Sequence, residues 1–461
     1  MARGPKVVLI GAGSVFFGRQ TIWSMVTKAA LCDGTLALVD PDERKLKWMV
    51  KIAERAIEAT GVPLKLEAGA HYRKFLKGAD FVTLAFAVEG VKLRGVDAEL
   101  STKHGMIMCS ADTIGPGGTM RTLREVPRQA RILKDVEKIC PDAWVVNWVN
   151  PTAAMGIAIM RHFPNLKFLA LCDGPHNPRF DNNLICAAGL VKSPDKVTNA
   201  LRSQVHIRSG GVNHFNWVVE MSYKGRDLTR KIKEKLQVAS QEEHRAAASE
   251  GAKRNLANRI SWQLADAVGY IPMCVWHTQE YLPFFQGHDV VRKDMLKIKQ
   301  WSVDVRRRWM NECWTDMRNL ASGKRQIEDF LKHTTPDHAS DIIESMWSGQ
   351  IKKFYINTPN NGAVPNLQDD DFLELPSTVD MNRVNVLPFG DMPRPLVGYM
   401  KRILDEHELA VEAAVTGDRK VLRQAFLASM VAVSVPDVDA CIDELLKRER
   451  PYLPAMWYKK R

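Results

Sequence analysis

The first part of the chain alternates short apolar runs with amphipathic stretches of helical period. Runs rich in Val, Leu and Ala predict buried strands at residues 6–10, 36–39, 81–86, 145–148 and 168–171. The stretches between the first of these strands predict helices at residues 18–30 and 42–60. Apolar strands that are joined by helices are typical of a parallel sheet covered on both faces. The pattern therefore predicts an α/β fold with a doubly wound parallel sheet.

The pattern changes near residue 203. Antiparallel strands are predicted at residues 205–208 and 217–223, and helices at residues 226–268, 295–319, 396–415 and 418–431. Residues 357–395, rich in Pro, Asn, Gly and Asp, predict loops with short strands. We therefore expect two domains, residues 1–196 and residues 197–461, of which the second is an α+β domain.

The composition is that of a globular protein with a basic balance. The 65 Lys and Arg against 53 Asp and Glu give a formal net charge of +12, which suits nucleic acid, an anionic membrane or a small anionic substrate. The basic residues are dispersed and match no nucleic-acid-binding signature, so we expect no nucleic-acid partner. No apolar run approaches the roughly 20 residues of a membrane span. The short apolar start is a poor signal peptide, so we expect no membrane partner and a cytoplasmic location.

A glycine-rich turn follows the first predicted strand, with Gly11 and Gly13 before Gly18. Gly11 permits a tight turn, Gly13 lets the backbone approach a pyrophosphate, and the next helix begins at the phosphates. Asp40 ends the second predicted strand, where a carboxylate binds a ribose diol and repels the 2′-phosphate of NADP. The pattern predicts a Rossmann-type domain that binds NAD through Gly11, Gly13, Ser14, Phe17, Gly18 and Asp40.

Five segments follow one another along the chain. They are Gly11-x-Gly13-Ser14, Asp112 to Gly118, Asn147 to Thr152 with Cys172-Asp173, Gly211 to Trp217, and His277-x-x-Glu280-Tyr281. Each is weak alone, but the ordered set resembles glycoside hydrolase family 4, the NAD- and divalent-metal-dependent glycosidases. The resemblance covers nearly the whole chain and implies a C-terminal α+β domain similar to that of lactate and malate dehydrogenases. The segment from Asp112 is most similar to the α-galactosidase and α-uronidase branch.

The resemblance also implies a chemistry. NAD oxidises the sugar at C3, a base removes the C2 proton, the aglycone leaves by elimination, water adds and the hydride returns. Cys172 and His214 match the ligands of a divalent metal, with Mn²⁺ expected first, and Asp173 matches the acid of α-acting members. Tyr281 matches the base, with Tyr270 as the alternative. From the residues alone, Cys172 is better explained as a buried thiol, whereas for Asp173 a solvated turn residue is the alternative to the acid.

Further residues are expected to contact the substrate: Asp112, Arg121, Arg124, Asn150, Asn213, His277 and Glu280. For the two arginines, solvation on a helix surface is an equal alternative, and His277 and Glu280 are equally well explained as structural polar groups. The predicted substrate is a non-phosphorylated α-hexopyranoside with an anionic C6 group, such as a uronide or a sulfosugar. By resemblance, we expect a homodimer or homotetramer.

Other functions stay open at this point. One is an α-galactosidase of the same mechanism. Another is a simple NAD-dependent dehydrogenase of the malate or lactate type, which shares the architecture and needs no Cys172–His214 pair. A non-enzymatic regulator that senses NAD or binds nucleic acid would show salt-dependent retention on DNA.

Overall fold

The computed structural model describes residues 4–249, 257–286 and 300–459. Its strands are β1 (Lys6–Ile10), β2 (Thr35–Val39), β3 (Lys65–Gly69), β4 (Phe81–Leu84), β5 (Trp144–Asn147), β6 (Lys167–Ala170), β7 (Val205–Val212), β8 (Phe215–Tyr223), β9 (Arg226–Asp227), β10 (Ile271–Pro272), β11 (Phe354–Pro359), β12 (Phe372–Val379) and β13 (Val384–Val386). Its α-helices are α1 (Phe17–Thr27), α2 (Glu43–Thr60), α3 (Arg73–Leu76), α4 (Gly90–Lys103), α5 (Gly115–Ile139), α6 (Thr152–His162), α7 (Arg179–Ala187), α8 (Asn199–Gln204), α9 (Thr229–Ser249), α10 (Ala257–Val268), α11 (Val275–Thr278), α12 (Val303–Ser322), α13 (Ile327–His333), α14 (His338–Ser348), α15 (Arg394–Thr416), α16 (Arg419–Ala428) and α17 (Val435–Arg448). Within these ranges, no helix combines the length and the apolar run that crossing a lipid bilayer requires.

Six parallel strands form the N-terminal half of the sheet in the order β3-β2-β1-β4-β5-β6. This is the strand order of dinucleotide-binding sheets. Val7 and Leu9 of β1 lie in one buried cluster, and Val8 and Ile10 lie in another. Because successive side chains alternate between the faces of a strand, both faces of the sheet are buried. The predicted doubly wound fold is confirmed.

The sheet continues beyond β6 with antiparallel strands. β11 pairs with β6, and β12, β7, β8 and β10 follow in that order. Helix α15 packs back against α5 and α6, and its Leu396 and Met400 share a core with Ala154 and Met155. One sheet and one core therefore connect residues on both sides of the boundary expected at residue 196, which stays a prediction.

Two of the sequence expectations for the second half are wrong in detail. The single helical region expected at residues 226–268 consists of β9 followed by α9 and α10, with residues 250–256 outside the described ranges. The segment expected to be mostly loop with short strands does contain strands, but one of them, β12, is longer than expected and lies inside the sheet. Its Glu374 and Pro376 argue against a strand in the sequence, yet both are buried within the sheet. Residues 295–299 of another predicted helix lie outside the described residues, and α12 begins after the Ser302 cap.

Candidate active site

The glycine-rich turn joins β1 to α1 at the carboxyl edge of the parallel strands. Gly11 has a φ of 100°, and a Cβ atom there would lie 2.5 Å from the Ala85 carbonyl carbon. The Gly13 amide donates to Asp40 Oδ2 at 2.8 Å, and a Cβ atom on Gly13 would lie 2.7 Å from that oxygen. Position 11 therefore requires glycine, a side chain at Gly13 would displace the Asp40 carboxylate, and the structure brings the predicted cofactor residues Gly11, Gly13 and Asp40 together.

The remaining predicted cofactor residues follow at the start of α1. The Gly18 amide donates to the Ser14 carbonyl at 2.9 Å, and a Cβ atom on Gly18 would overlap the Ala12 carbonyl oxygen. The Phe17 ring packs against Trp148, with 4.5 Å between the ring centroids. This closely packed glycine turn lies at the start of α1, which fits the approach of a dinucleotide.

A thiol and an imidazole face each other at the carboxyl end of β6. Cys172 Sγ lies 2.8 Å from His214 Nε2, and both side chains are buried. Asp173 Oδ1 lies 3.4 Å from the same sulfur and 3.7 Å from the same nitrogen. Asn150 Oδ1 lies 3.9 Å from the sulfur and accepts a hydrogen bond from Thr152. The structure therefore brings together four residues that the sequence placed in the site.

His214 lies in the tight turn of the hairpin formed by β7 and β8. Its φ of 62° is unusual for a residue other than glycine. The Thr278 hydroxyl donates to the His214 carbonyl at 3.1 Å, and the Tyr281 hydroxyl donates to the carbonyl of Asn213 at 2.9 Å. These two contacts hold the turn in this conformation, so Asn213 contributes its backbone and supports the placement of His214.

The predicted base Tyr281 is 1% exposed. Burial raises the pKa of its phenol well above 10, which is opposite to what a base requires at neutral pH. Its alternative, Tyr270, is only partly buried and packs against the edge of the hydrophobic core. The assignment of Tyr281 as the base, with Tyr270 as the alternative, stays a prediction. Asp173, the predicted acid, has a side chain that is 83% exposed.

A second thiol and imidazole lie beside His214. The rings of His214 and His277 stack in parallel with 3.7 Å between centroids, and Cys274 Sγ lies 3.1 Å from His277 Nδ1. Ligand atoms of these three residues lie within 4.8 Å of one another. His277 is among the residues predicted to contact the substrate, whereas Cys274 is not among the residues predicted for the site. The Cys-x-x-His spacing on one short segment was the available signal.

Asp112 lies between two guanidinium groups. Arg94 Nη1 and Arg121 Nη1 lie 3.0 Å and 2.9 Å from Asp112 Oδ2, and Asn150 Nδ2 donates to the same oxygen at 3.4 Å. Burial opposes ionisation of Asp112, but the two arginines outweigh it and hold the pKa of the carboxyl well below its usual range. Arg94 is not among the residues predicted from the sequence. It belongs to the same cluster as the predicted Asp112, Arg121 and Asn150.

Glu280 binds the backbone of the loop that leads to Asp112. Its carboxylate accepts hydrogen bonds from the backbone amides of Ser110 and Ala111, and it is fully buried. Burial raises the pKa of Glu280 to about 7. The expected contact with the substrate is therefore corrected: Glu280 positions the backbone that precedes Asp112.

The environments of Arg124 and Arg306 both differ from those that the sequence suggests. Arg124 is buried between Asp97 and Glu449, at 2.8 Å and 2.5 Å, so its predicted contact with the substrate is wrong. Arg306 is the first of three consecutive arginines, a run that is typical of a solvated helix face, but it lies over the rings of Trp309 and Phe16 at 4.2 Å and 5.6 Å. Burial lowers the pKa of Arg306, and the charge of Arg94 lowers it further. Arg306 therefore lies between the glycine turn and the Asp112 cluster.

The residues at the end of β6 fit a divalent cation. Burial raises the pKa of the Cys172 thiol well above its usual value and lowers that of His214, so both groups are neutral by themselves. A divalent cation supplies the positive charge that a buried thiolate requires, and sulfur with imidazole is a normal donor set for transition metals. The observed pair therefore fits the predicted metal.

The fold and the site together define an α/β enzyme with a dinucleotide-binding turn and a thiol–imidazole pair at the same edge of one sheet. The chain belongs to family 4 of the glycosyl hydrolases. The model of the Family 4 glycosyl hydrolase matches residues 6–179, and that of the Family 4 glycosyl hydrolase C-terminal domain matches residues 209–431. The prediction that the protein is a glycosidase is confirmed.

Curated relatives of several specificities match the whole chain. A probable 6-phospho-beta-glucosidase of Bacillus subtilis is 28% identical over 100% of this chain and 99% of its own length. An alpha-galactosidase of the same organism is 26% identical, covering 97% and 99%. An alpha-galacturonidase of Lachnoclostridium phytofermentans is 24% identical, covering 98% and 97%. These names differ in sugar, so the family membership leaves the substrate open.

Solved structures share the fold. LplD from Bacillus subtilis superposes with a TM-score of 0.81 at 22% identity, covering 96% of this chain and 100% of that one. A 6-phospho-alpha-glucosidase from gut microorganisms, in complex with NAD and Mn²⁺, has a TM-score of 0.79 at 18% identity, covering 98% and 99%. A lactate dehydrogenase from Cryptosporidium parvum has a TM-score of 0.50 at 13% identity, covering 90% and 99%. The expected relation to the dehydrogenase fold is confirmed.

Proposed function

We propose that this glycosidase uses NAD and a divalent metal to cleave an α-hexopyranoside with an anionic group at C6. The observation that carries the proposal is the distance of 2.8 Å between Cys172 Sγ and His214 Nε2, at the sheet edge that also bears the glycine turn. The crystallised relative with NAD and Mn²⁺ supports both cofactors. Cys172 and His214 would hold the metal, and the turn from Gly11 to Gly18 with Asp40 would hold NAD.

When bound, NAD would exchange a hydride with the sugar and the metal would polarise the sugar oxygens. The chain's own residues would bind the sugar and move protons. The exposed Asp173 carboxyl, beside Cys172, would donate a proton to the leaving oxygen. Tyr281 would accept the C2 proton as a phenolate, after its hydroxyl has released its own proton to solvent and has lost the hydrogen bond to the Asn213 carbonyl. Asn150 and Asp112 would bind sugar hydroxyls at the same edge.

The anionic C6 group is supported by the charges around Asp112. Arg94 and Arg121 share this one carboxylate, which leaves a positive charge in excess. Arg306 adds another, and its guanidinium has no carboxylate within salt-bridge distance among the described residues. Two of the relatives are named for anionic sugars, a 6-phospho-sugar and a galacturonide. An anion in the substrate would therefore be bound by Arg306.

The experiment compares aryl α-glycosides of galacturonic acid, sulfoquinovose, galactose and glucose 6-phosphate in the presence of NAD and Mn²⁺. We expect kcat/KM to be highest for the uronide or the sulfosugar. Arg306→Gln should lower kcat/KM for that substrate by about tenfold or more, since a charge-assisted hydrogen bond is lost. Arg307→Gln, whose partner Asp304 is exposed, is the matched control and should have no effect.

Two outcomes would contradict the proposed specificity: a neutral galactoside that is the best substrate, as for the α-galactosidase relatives, or an Arg306→Gln variant that keeps its preference for anions. A cytoplasmic location, a dimer or tetramer, and the domain boundary at residue 196 stay predictions. Light scattering during size-exclusion chromatography tests the oligomeric state.

A further inference from the structure

We propose that Glu374 is a positioning residue that fixes the separation of Cys172 and His214, the pair that would hold the metal. The inference rests on the metal site of the proposed function and adds to it a residue from the middle of the sheet.

The register of the antiparallel strands places Glu374 between the two strands that lead to this pair. Directly paired residues form one row across β8, β7, β12, β11 and β6, in the order Asn216, Gly211, Glu374, Asn357 and Ala170. Asn216 lies two residues after His214, and Ala170 lies two residues before Cys172. Because directly paired side chains project from the same face of a sheet, the row spans the distance between the two members of the pair.

Side-chain hydrogen bonds run along this row. The side-chain amides of Asn216 and Asn357 both donate to the Glu374 carboxylate, the second at 3.1 Å, and all three side chains are buried. Gly211 makes the first contact possible, because a Cβ atom there would lie 3.0 Å from Asn216 Oδ1. The carboxylate therefore joins β8, which follows the His214 turn, to β11, the neighbour of β6.

These contacts lie where the backbone pairing of the sheet is shortest. Among the described residues, β12 joins β7 through one bridging pair, which Glu374 forms with Gly211. The junction between β11 and β6 likewise consists of one pair, to which Asn357 belongs. The Cβ position of Gly174, in the turn after Cys172, lies 3.4 Å from Glu374 Oε1. Few backbone bonds fix the two strands at this level, so the side-chain contacts of Glu374 set their spacing.

Crystals of metal-free variants test this placement directly. Glu374→Ala removes the acceptor of both amides, so we expect the distance between Cys172 Sγ and His214 Nε2 to grow from 2.8 Å by about 1 Å or more. Asn216→Ala removes one contact and should lengthen the same distance. Because this second variant keeps the buried carboxyl group and its bond to Asn357, it decides the question if Glu374→Ala does not fold.

Mn²⁺ affinity is a second readout that does not depend on turnover. The full chain, freed of metal, is titrated with Mn²⁺ alone, and the free ion is measured by its electron paramagnetic resonance signal. Glu374→Ala and Asn216→Ala should each weaken binding by about tenfold or more, the usual effect of losing a residue that orients a metal ligand. Glu374→Gln should stay within about twofold of the wild type, because glutamine can accept from Asn357 and donate to Asn216 once that amide has rotated.

Asn360→Ala is the matched control. Its buried side chain follows β11 and bonds to the backbone of its own loop, so its loss should lower the melting temperature and leave Mn²⁺ affinity unchanged. The inference is overturned if the distance between Cys172 and His214 stays within about 0.5 Å of the wild-type value in the crystals. Equal affinity of the wild type and both alanine variants for Mn²⁺ would also overturn it.

Glu374→Gln separates the contacts of this residue from its charge. If this variant loses as much Mn²⁺ affinity as Glu374→Ala, the charge rather than the contacts matters, and the inference is wrong. The proposed function fails in a different way, because the wild type would then bind no Mn²⁺. In that case the distances in the metal-free crystals still decide the role of Glu374.

Discussion

Single residues in this site act mainly through the charge that they share with their neighbours. Asp112 is buried, yet it stays ionised because Arg94 and Arg121 contact the same oxygen. Its single carboxylate thereby provides an ion-pair partner for both guanidinium groups. Asp112 therefore contributes to stability, in addition to the substrate contact proposed for it.

Replacing this carboxylate should therefore be costly. Asp112→Asn leaves two largely buried arginines without a charged partner, so we expect the free energy of unfolding to fall by about 2–4 kcal/mol. Urea denaturation measures this change. Asp304→Asn removes the exposed pair with Arg307 and should cost less than about 0.5 kcal/mol. Equal stability of Asp112→Asn and the wild type would show that the arginines find other partners.

The predictions for single residues failed where the contacting residues lie far apart in the sequence. The Gly turn, Asp40, Cys172 and His214 could be assigned because local motifs and the family resemblance mark them. Arg124 could not, because its partner Glu449 lies 325 positions away and nothing near either residue indicates the pair. The position of Arg306 could not be predicted for the same reason. A run of three arginines is typical of a solvated helix face, and only the fold places this part of α12 beside the glycine turn.

At the scale of elements, the Gly-Pro-Gly-Gly run at the start of α5 allows the Asp112 loop to fold back on its own helix. A Cβ atom on Gly117 would lie 2.7 Å from the Ala111 carbonyl oxygen, and one on Gly118 would overlap the Thr113 carbonyl. The glycines thus serve the packing of a loop, although a glycine-rich helix start also suits an anion. The strands β1, β2, β4, β5 and β6 could be predicted from their apolar runs. By contrast, β12 contains Glu374 and Pro376 and acquires its strand character by pairing with β11, β13 and β7.

Gly118→Ala tests this function of the run. The added methyl group must displace the loop, so we expect a loss of about 1–3 kcal/mol in stability and a fall in kcat/KM. Gly398→Ala is the matched control: Gly398 lies in α15 with nothing within 4 Å of its Cβ position. It should stabilise the protein by about 0.5–1 kcal/mol. Thermal melts and assays of both variants would contradict the account if Gly118→Ala behaved like the control.

At the scale of the whole molecule, the fold buries several carboxyl groups, one in the sheet and two outside it. Burial raises the pKa of Glu280 and of Glu374 to about 7, and that of Glu406 to about 8. The strand order of the parallel half could be expected from the motifs, but its continuation through β11, β12 and β7 could not. These strands come from distant parts of the chain, and β11 joins β6 through a single bridging pair.

These carboxyl groups predict a pH dependence of stability. Each keeps its proton in the folded state while the unfolded chain releases it near pH 4.5, so the free energy of unfolding falls as the pH rises from about 4.5 to 8. Glu406→Gln removes one of these groups and should gain stability relative to the wild type across that range. The gain is at most a few kcal/mol, at roughly 1.4 kcal/mol per pKa unit.

The measurement is urea denaturation of both proteins at several pH values. Glu408→Gln, on the same helix but partly exposed beside Arg161, is the control. A difference between Glu406→Gln and the wild type that stays constant from pH 5 to pH 8.5 would contradict a raised pKa at Glu406.

The central claim, cleavage through oxidation at C3 and deprotonation at C2, is tested most directly by hydrogen exchange during turnover. An aryl α-galacturonide or sulfoquinovoside is hydrolysed in D₂O with NAD and Mn²⁺, and the released sugar is analysed by NMR. The account predicts deuterium at C2 of the product, with no net formation of NADH and no turnover once NAD is removed. Hydrolysis that retains the original hydrogen at C2, or that continues without NAD, would contradict it.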